Sequence, residues 1–567
     1  MLKMKLNKTL AGITGVILAL GMQSCTTGLL DIGDDFTLVA STDFFKTSVN
    51  VQVNNSNGSP SDLGLGNGTV LNVKIKGPNA SDIYFQDGST TVGEDVVSNS
   101  GNVSFHLDPN LTPSDANPVE FTLVFEADGF ISTSKTYKLT QDGNILDKLS
   151  MVDISSPPMG VIHSTGSGTL SSGATTEEIT LTTSGSSAKL VIAEGTVMVD
   201  SDGNPLTGDI EIDMVYFNNE EESSLAVFPG GIMADVTDAG GNNSEGTFSS
   251  AGFVAIEISD ENGNKATTFE NNPIEVSVSI SNTTFNPENN STVAAGDVVP
   301  VWSYDESNGE WTYESIDTIV LGGDGLLTVT AELDHLSYWN FDWFTTGFCY
   351  NVPINITSSQ IPVGTYVYFE AAIYKAIDNT YIGSGTYYVP VGGADISYRM
   401  PSNMDVIIKP TLYNEDYLDV TFNEISTSNV CDGNTTIDVS WSTNNYYTTF
   451  DVTGLCGGDS TSSDGDTEIR PTFYFNYRDV TEGGPWKWGS MVDGIAYISL
   501  DPTHSYEILA DYAGESYTST ISLDGFLNDP SQLGDFSNII SNLDAATQTG
   551  SITADINIAE NYCDQIE

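Results

Sequence analysis

The chain has 567 residues, 77 of them acidic and 17 basic, for a formal net charge of −60. That balance excludes a nucleic-acid binder, because neutralising phosphates requires Lys and Arg, and it argues against docking on anionic lipid headgroups. The length exceeds what one hydrophobic core serves and predicts roughly three to five domains of about 100 to 200 residues each.

Lys3, Lys5 and Lys8 precede a short apolar run from Leu10 to Met22, and Ser24 stands directly before Cys25. The run is short for a membrane span, and a small residue before cysteine fits cleavage there followed by lipidation of Cys25. Met22 and Gln23 replace the usual aliphatic and small residues, so the segment resembles the looser lipoprotein signals of Bacteroidota; the alternative is a secretory signal with a chance cysteine. Residues 1–24 are read as signal peptide and 25–46 as a lipidated tether, whose Asp31, Asp34 and Asp35 resemble surface-export signals. Acyl chains contribute about 0.8 kcal/mol per buried methylene, so the expected address is the outer membrane, lipid-anchored and cell-surface exposed, with a periplasmic-facing orientation as the alternative.

From Val49 onward apolar and polar residues alternate between clusters of Gly, Asn, Asp and Pro, which predicts an all-β chain of tandem β-sandwich domains. Residues 47–158 form the first module, with strands expected at 70–77, 102–108, 119–130 and 135–140, ending at Pro157-Pro158-Met159-Gly160. It resembles prealbumin-like or carboxypeptidase regulatory-like sandwiches.

Residues 159–345 form the second module, with a Ser-, Thr- and Gly-rich lead-in at 164–187; the sandwich proper begins at either Gly160 or Lys189. Trp302 and Tyr304 are expected to pair with Trp311 and Tyr313 across the turn 305–310, giving a hairpin with one aromatic face. The motifs 200–208 (DSDGNPLTG), 228–231 (FPGG), 251–253 (AGF), 300–311 (PVWSYDESNGEW) and 335–340 (HLSYWN) resemble a ZU5-like β-sandwich of the astroprincin and cartilage intermediate layer protein type. That resemblance implies an extracellular structural or adhesive module and brings no catalytic residues.

The last third carries a repeat. Thr346-Gly347-Phe348-Cys349 recurs as Thr453-Gly454-Leu455-Cys456, and Asn429-Val430-Cys431-Asp432 recurs as Asn561-Tyr562-Cys563-Asp564. Tyr-rich strands follow in matching order, 367–374 with 473–478, 394–400 with 494–500, and 405–413 with 505–512. Residues 346–455 and 456–567 are therefore read as two Ig-like or regulatory-like sandwiches, the first ending in bridging strands at 435–442 and 446–454. With Cys25 on lipid, four cysteines remain in an exported chain, and the repeat favours disulfides Cys349–Cys431 and Cys456–Cys563, with Cys431–Cys456 as the alternative.

Candidate sites are sparse. His106, His163, His335 and His504 fall in separate modules or linkers, so no Ser-His-Asp or Cys-His grouping is indicated, and no catalytic residue is assigned. Asp200, Asp202 and Asn204 have the alternate spacing of calcium ligands, and Asp464 with Asp466 a shorter version; the plain reading of both is a hairpin turn. Trp486 and Trp488, two apart and flanked by Gly484 and Gly489, share a strand face that could stack on a sugar ring or pack in a core. The sequence thus predicts a non-enzymatic, structural or adhesive surface lipoprotein whose partner is a glycan or another surface protein. The alternative is a glycan-binding lipoprotein of a polysaccharide-capture system.

Overall fold

The computed structural model describes residues 38–557 apart from short internal stretches, of which 412–424, 439–444, 457–466 and 523–535 are the longest. Cys25, Cys563, Asp464 and Asp466 lie outside the described residues. The chain is built almost wholly of strands arranged as tandem β-sandwiches.

One closure, first strand to last, occurs three times. In the first module Ser48–Asn55 pairs in parallel with the module's last strand, Asn144–Met151, and antiparallel with Asn102–Leu107. The opposing sheet centres on Leu71–Lys76, flanked by Val96–Ser98 and Val119–Glu126, with Thr133–Leu139 outermost. The third module repeats this with Val352–Thr357 beside Thr435–Asp438 and Ala394–Ile396, facing Tyr366–Lys375, Tyr381–Pro390, Val406–Thr411 and Ile425–Thr427. The fourth repeats the first-to-last pairing with Tyr446–Cys456 beside Thr549–Asn557 and Ile495–Leu500, and sets Phe473–Asp479 beside Lys487–Val492, Ser505–Tyr512 and Glu515–Ser522, but Lys487–Val492 also pairs with Ile495–Leu500, so its two halves are one continuous sheet. Hairpins cannot make a parallel pair, so closing each module first strand to last fixes a long-range contact that defines it as one unit.

This topology moves two boundaries. Leu38–Ser41, expected within the tether 25–46, is a strand paired in parallel with Thr467–Arg470 of the fourth module. Tyr446–Cys456, expected as a bridge ending the third module, is the first strand of the fourth. The Thr-Gly-x-Cys motif misled because Cys349 precedes its module's first strand, Val352–Thr357, whereas Cys456 ends its own. The strand-by-strand correspondence otherwise follows the repeat. Cys349 and Cys431 are joined, with Cα atoms 5.8 Å apart, just ahead of the parallel pair Val352–Thr357 and Thr435–Asp438. The alternative Cys431–Cys456 is thereby excluded.

The second module packs a ten-stranded sheet against a five-stranded one. It begins at Val161, because Val161–Ser171 pairs along nearly its whole length with Asp209–Phe217, from Val161 opposite Phe217 to Thr169 opposite Asp209. The expected Ser/Thr-rich lead-in is thus sheet rather than linker. Its small residues let the second sheet close down: a Cβ at Gly168 would sit 2.3 Å from Ile179 Cδ1. The strand Tyr338–Thr346 is buried on both faces. Trp339, Phe341 and Trp343 enter the core between the sheets, while Tyr338 and Phe344 join Phe248, Trp302 and Trp311 on the other side. The aromatic hairpin has the expected register, Trp302 opposite Tyr313 and Tyr304 opposite Trp311, with a bulge after Val301.

Candidate functional site at the junction of three modules

The aromatic cluster of the second module does not stop at the module's edge. It is continuous with Ile356, Ile373 and Tyr387 of the third, so the two modules share one core. The hairpin tip docks on the first module. Asn308 O accepts from Thr122 Oγ1 at 2.9 Å and Thr136 Oγ1 at 3.2 Å, Ser132 Oγ donates to Glu306, and Tyr304 Oη lies 2.9 Å from Ser134 Oγ. The approach requires glycine at 309, where φ is +69° and a Cβ would stand 2.0 Å from Thr136 Oγ1.

Where the three modules meet they enclose a half-open cavity of about 160 Å³, bordered by Lys135, Lys138, Lys148, Tyr350, Tyr381 and Arg399. Four of the chain's 17 Lys and Arg residues are therefore spent at one place. Each has its own carboxylate, and three of the pairs join different modules. Lys138 of the first binds Glu245 of the second. Lys148 Nζ of the first lies 3.1 Å from Glu370 Oε1 of the third. Arg399 Nη1 of the third donates at 3.0 Å to both oxygens of Asp235 in the second, with its guanidinium 5.3 Å from the Phe348 ring centre. Lys135 binds Asp147 within the first module at 2.5 Å.

Burial lowers the Lys148 ammonium and raises the Glu370 carboxyl, and each one's charge opposes the other's shift. Burial alone would lower Arg399, but Asp235 and the neighbouring Tyr350 outweigh it and hold the guanidinium above its ordinary value. Chemically the three inter-module pairs are a clamp: each of their charges is neutralised across an interface, and deleting one partner strands the other in a part-desolvated site.

The second interface of the first module is with the fourth. Trp488 Nε1 donates to Gln52 Oε1, Asn102 Nδ2 donates to Asn476 Oδ1 at 2.6 Å, and Ser48 Oγ lies 3.1 Å from Tyr474 Oη. This corrects the sugar-platform reading of Trp486 and Trp488. Both are buried, 7% and 5% exposed, Trp486 under the Arg478 guanidinium and Trp488 against the first module. Glycine flanks suggested an exposed loop, but Gly489 is a contact point where a Cβ would meet the Phe475 ring at 2.3 Å.

The calcium reading is corrected as well. Asp200 Oδ1 accepts from the amides of Asp202 at 3.0 Å and Asn204 at 2.8 Å, so its carboxylate closes its own turn instead of facing outward with Asp202 and Asn204 as a ligand set. The same five-residue turn recurs at Asp238–Asn242 and Asp260–Asn264, with Asp Oδ1 accepting from the second and fourth residues after it at 2.8–3.0 Å. Hydrogen bonds from the turn amides lower the Asp200 and Asp238 carboxyls. At Asp260 burial acts upward, but donors from Asn264, Asn262 and Thr207 bring the group to about 2. The D-x-x-G-N pattern shared by the three turns was readable in the sequence and marks structural hairpins. Among the described residues no group of three or more His, Cys, Asp or Glu side chains is arranged to hold a metal.

The histidines are dispersed. His163 lies 2.6 Å from Asp213, His335 2.8 Å from Asp334 and 2.5 Å separates His504 from Asp479, while burial lowers His106 to about 4.

No family model and no curated protein matches the chain. Among solved structures it aligns with the TIE protein of Bacillus anthracis at 9% identity, over 73% of this chain and 70% of that one, with a TM-score of 0.13. It also aligns with BcpA, the major pilin subunit of Bacillus cereus, at 9% identity over 90% and 99% with a TM-score of 0.12. The T6 backbone pilin of serotype M6 Streptococcus pyogenes gives 10% identity over 88% and 84%, with a TM-score of 0.13. TM-scores of this size carry no argument about this chain's fold or role.

Proposed function

We propose that this chain is a non-enzymatic, lipid-anchored surface protein of Bacteroidota type that acts as a stiff structural or adhesive scaffold. The observation that carries the reading is the clamp: three ion pairs join the first three modules pairwise around one cavity, over a core the second and third share. Independent domains on flexible linkers have no need of such contacts, whereas a protein that presents a surface at a fixed distance from a membrane does. The acidic surface, screened over about 10 Å in physiological salt, keeps such a body soluble and unassociated. Lipidation at Cys25 supplies the anchor. The test is protease shaving of intact cells carrying the wild-type chain or Cys25→Ala. External protease should digest the wild type, and the variant should leave the membrane fraction; protection from protease, or unchanged fractionation of the variant, would overturn the surface-anchor reading.

A further inference from the structure

The strand Glu310–Thr318 is hydrogen-bonded to Val298–Asp305 along its length, but on its other edge it meets Met233–Thr237 only at Trp311 and Thr312. From Tyr313 to Thr318 that edge has no partner strand among the described residues. The chain then turns a corner at the buried Ile319 and continues as Val320–Leu321, the outermost strand of the five-stranded sheet.

Exposed aliphatic residues surround this open edge, with Ile316 on it. Val298, Ile316, Val320, Leu321 and Leu326 are 37–63% exposed, and they make up five of the thirteen exposed large hydrophobic residues described for the whole chain. Sheet proteins ordinarily guard such an edge with charged side chains, lysine above all, or with proline, a bulge or a covering element. The edge strand Thr133–Leu139 of the first module conforms, carrying Lys135 and Lys138 and lying against the junction. The edge at 313–318 has no lysine or proline and, among the described residues, no covering element; what it carries is a bulge that leaves Glu314 unpaired opposite Val301 and Trp302, and the acidic Asp317. Between Lys265 and Lys375 the chain has no lysine or arginine but fourteen Asp and Glu residues, among them Glu314, Asp317 and Asp324 beside the apolar strip.

The geometry points to a docking edge at Tyr313–Thr318, ending where Val320 pairs with Thr328, that takes an extended, lysine- or arginine-bearing segment of another protein as an added strand. Unpaired backbone groups supply the ladder, the exposed aliphatic residues take the incoming strand's apolar side chains, and the carboxylates select positive charge. A second copy of this chain is disfavoured as occupant, since it would bring −60 against −60.

The probe is a synthetic peptide of about nine residues alternating Val or Thr with Lys, titrated into the mature chain, with a Glu-for-Lys version as control. The lysine peptide should saturate below about 1 mM, bind at least tenfold more tightly than the control, and protect amides within 313–318 from hydrogen exchange. The double variant Ile316→Lys, Leu321→Lys should weaken it at least tenfold; both side chains are half or more exposed, so the fold is retained, as circular dichroism will confirm. Failure of the lysine peptide to bind at 1 mM, equal binding by the double variant, or protection elsewhere would overturn the assignment. Self-association of the wild type abolished by the double variant would also overturn it, giving the edge to a second copy.

Discussion

Asp342→Asn isolates a cost built into the centre of the second module. Asp342 has no exposed surface; Oδ1 accepts the Ala251 amide at 3.0 Å, and Oδ2 has no hydrogen-bond partner. It is there because the bulge between Ser250 and Phe253 releases the Ala251 N–H from the ladder, and the carboxylate on the neighbouring strand accepts it. Burial raises the carboxyl from its ordinary 3.8 to about 7, against opposing contributions from Asn340, the Ala251 amide, Ser250 and Lys375. A folded-state value above the unfolded one means the fold binds an extra proton between about pH 4 and pH 7. Stability from this group is thus complete below pH 4 and lost as pH rises through 7. Three units at about 1.36 kcal/mol each give about 4 kcal/mol. The asparagine variant keeps the acceptor for Ala251 and cannot ionise. Its stability relative to wild type should therefore rise by about 4 kcal/mol between pH 4 and pH 8, whatever its sign at either end. Urea unfolding followed by tryptophan fluorescence reads this, since Trp302, Trp311, Trp339 and Trp343 are all buried in this module. A difference constant to within about 0.5 kcal/mol across that range would refute the reasoning.

Arg399→Met should destabilise the joint between second and third modules by about 2–3 kcal/mol, the lower end for a buried pair because both partners keep some exposure, and Arg399→Met with Asp235→Asn should recover part of it; denaturant midpoints in a double-mutant cycle measure both. Trp486→Ala should cost about 3–5 kcal/mol in the fourth module without altering binding to any polysaccharide, as thermal unfolding and a glycan titration would show. Cys349→Ser with Cys431→Ser opens a loop spanning 82 residues and should lower stability by about 4.5 kcal/mol in the chain-entropy model, with hydrogen exchange rising in the third module first.

The all-β class, the aromatic hairpin and the strand order of the last two modules were legible because each rests on local alternation, which survives in single sequences. The regulatory-like resemblance grouped the first module with the third and fourth, but the closure they share was not legible. It resides in a parallel pairing of first and last strands about a hundred residues apart, and the last strand, Asn144–Met151, carries Asp147 and Lys148 at positions that look too charged for a sheet interior. Lys148 is one arm of the clamp, and Asp147 holds Lys135 beside it. The clamp's one sequence signal was the spending of Lys135, Lys138 and Lys148 close together in a chain poor in cations. Trp486 and Trp488 kept two readings, sugar platform and core, because strand alternation places two rings on one face without saying whether that face meets solvent or a neighbouring module; burial decides for the core.

The central claim is that the first three modules form one stiff body, and distances between them test it most directly. Nitroxide labels placed by non-cysteine chemistry at the exposed positions Lys76, Asp324 and Asp378 would report the three inter-module separations by pulsed electron resonance. The account predicts three narrow distributions in the intact chain, broadening when Lys138, Lys148 and Arg399 are replaced together by Met. Broad distributions in the intact chain, as flexibly linked domains would give, would contradict it.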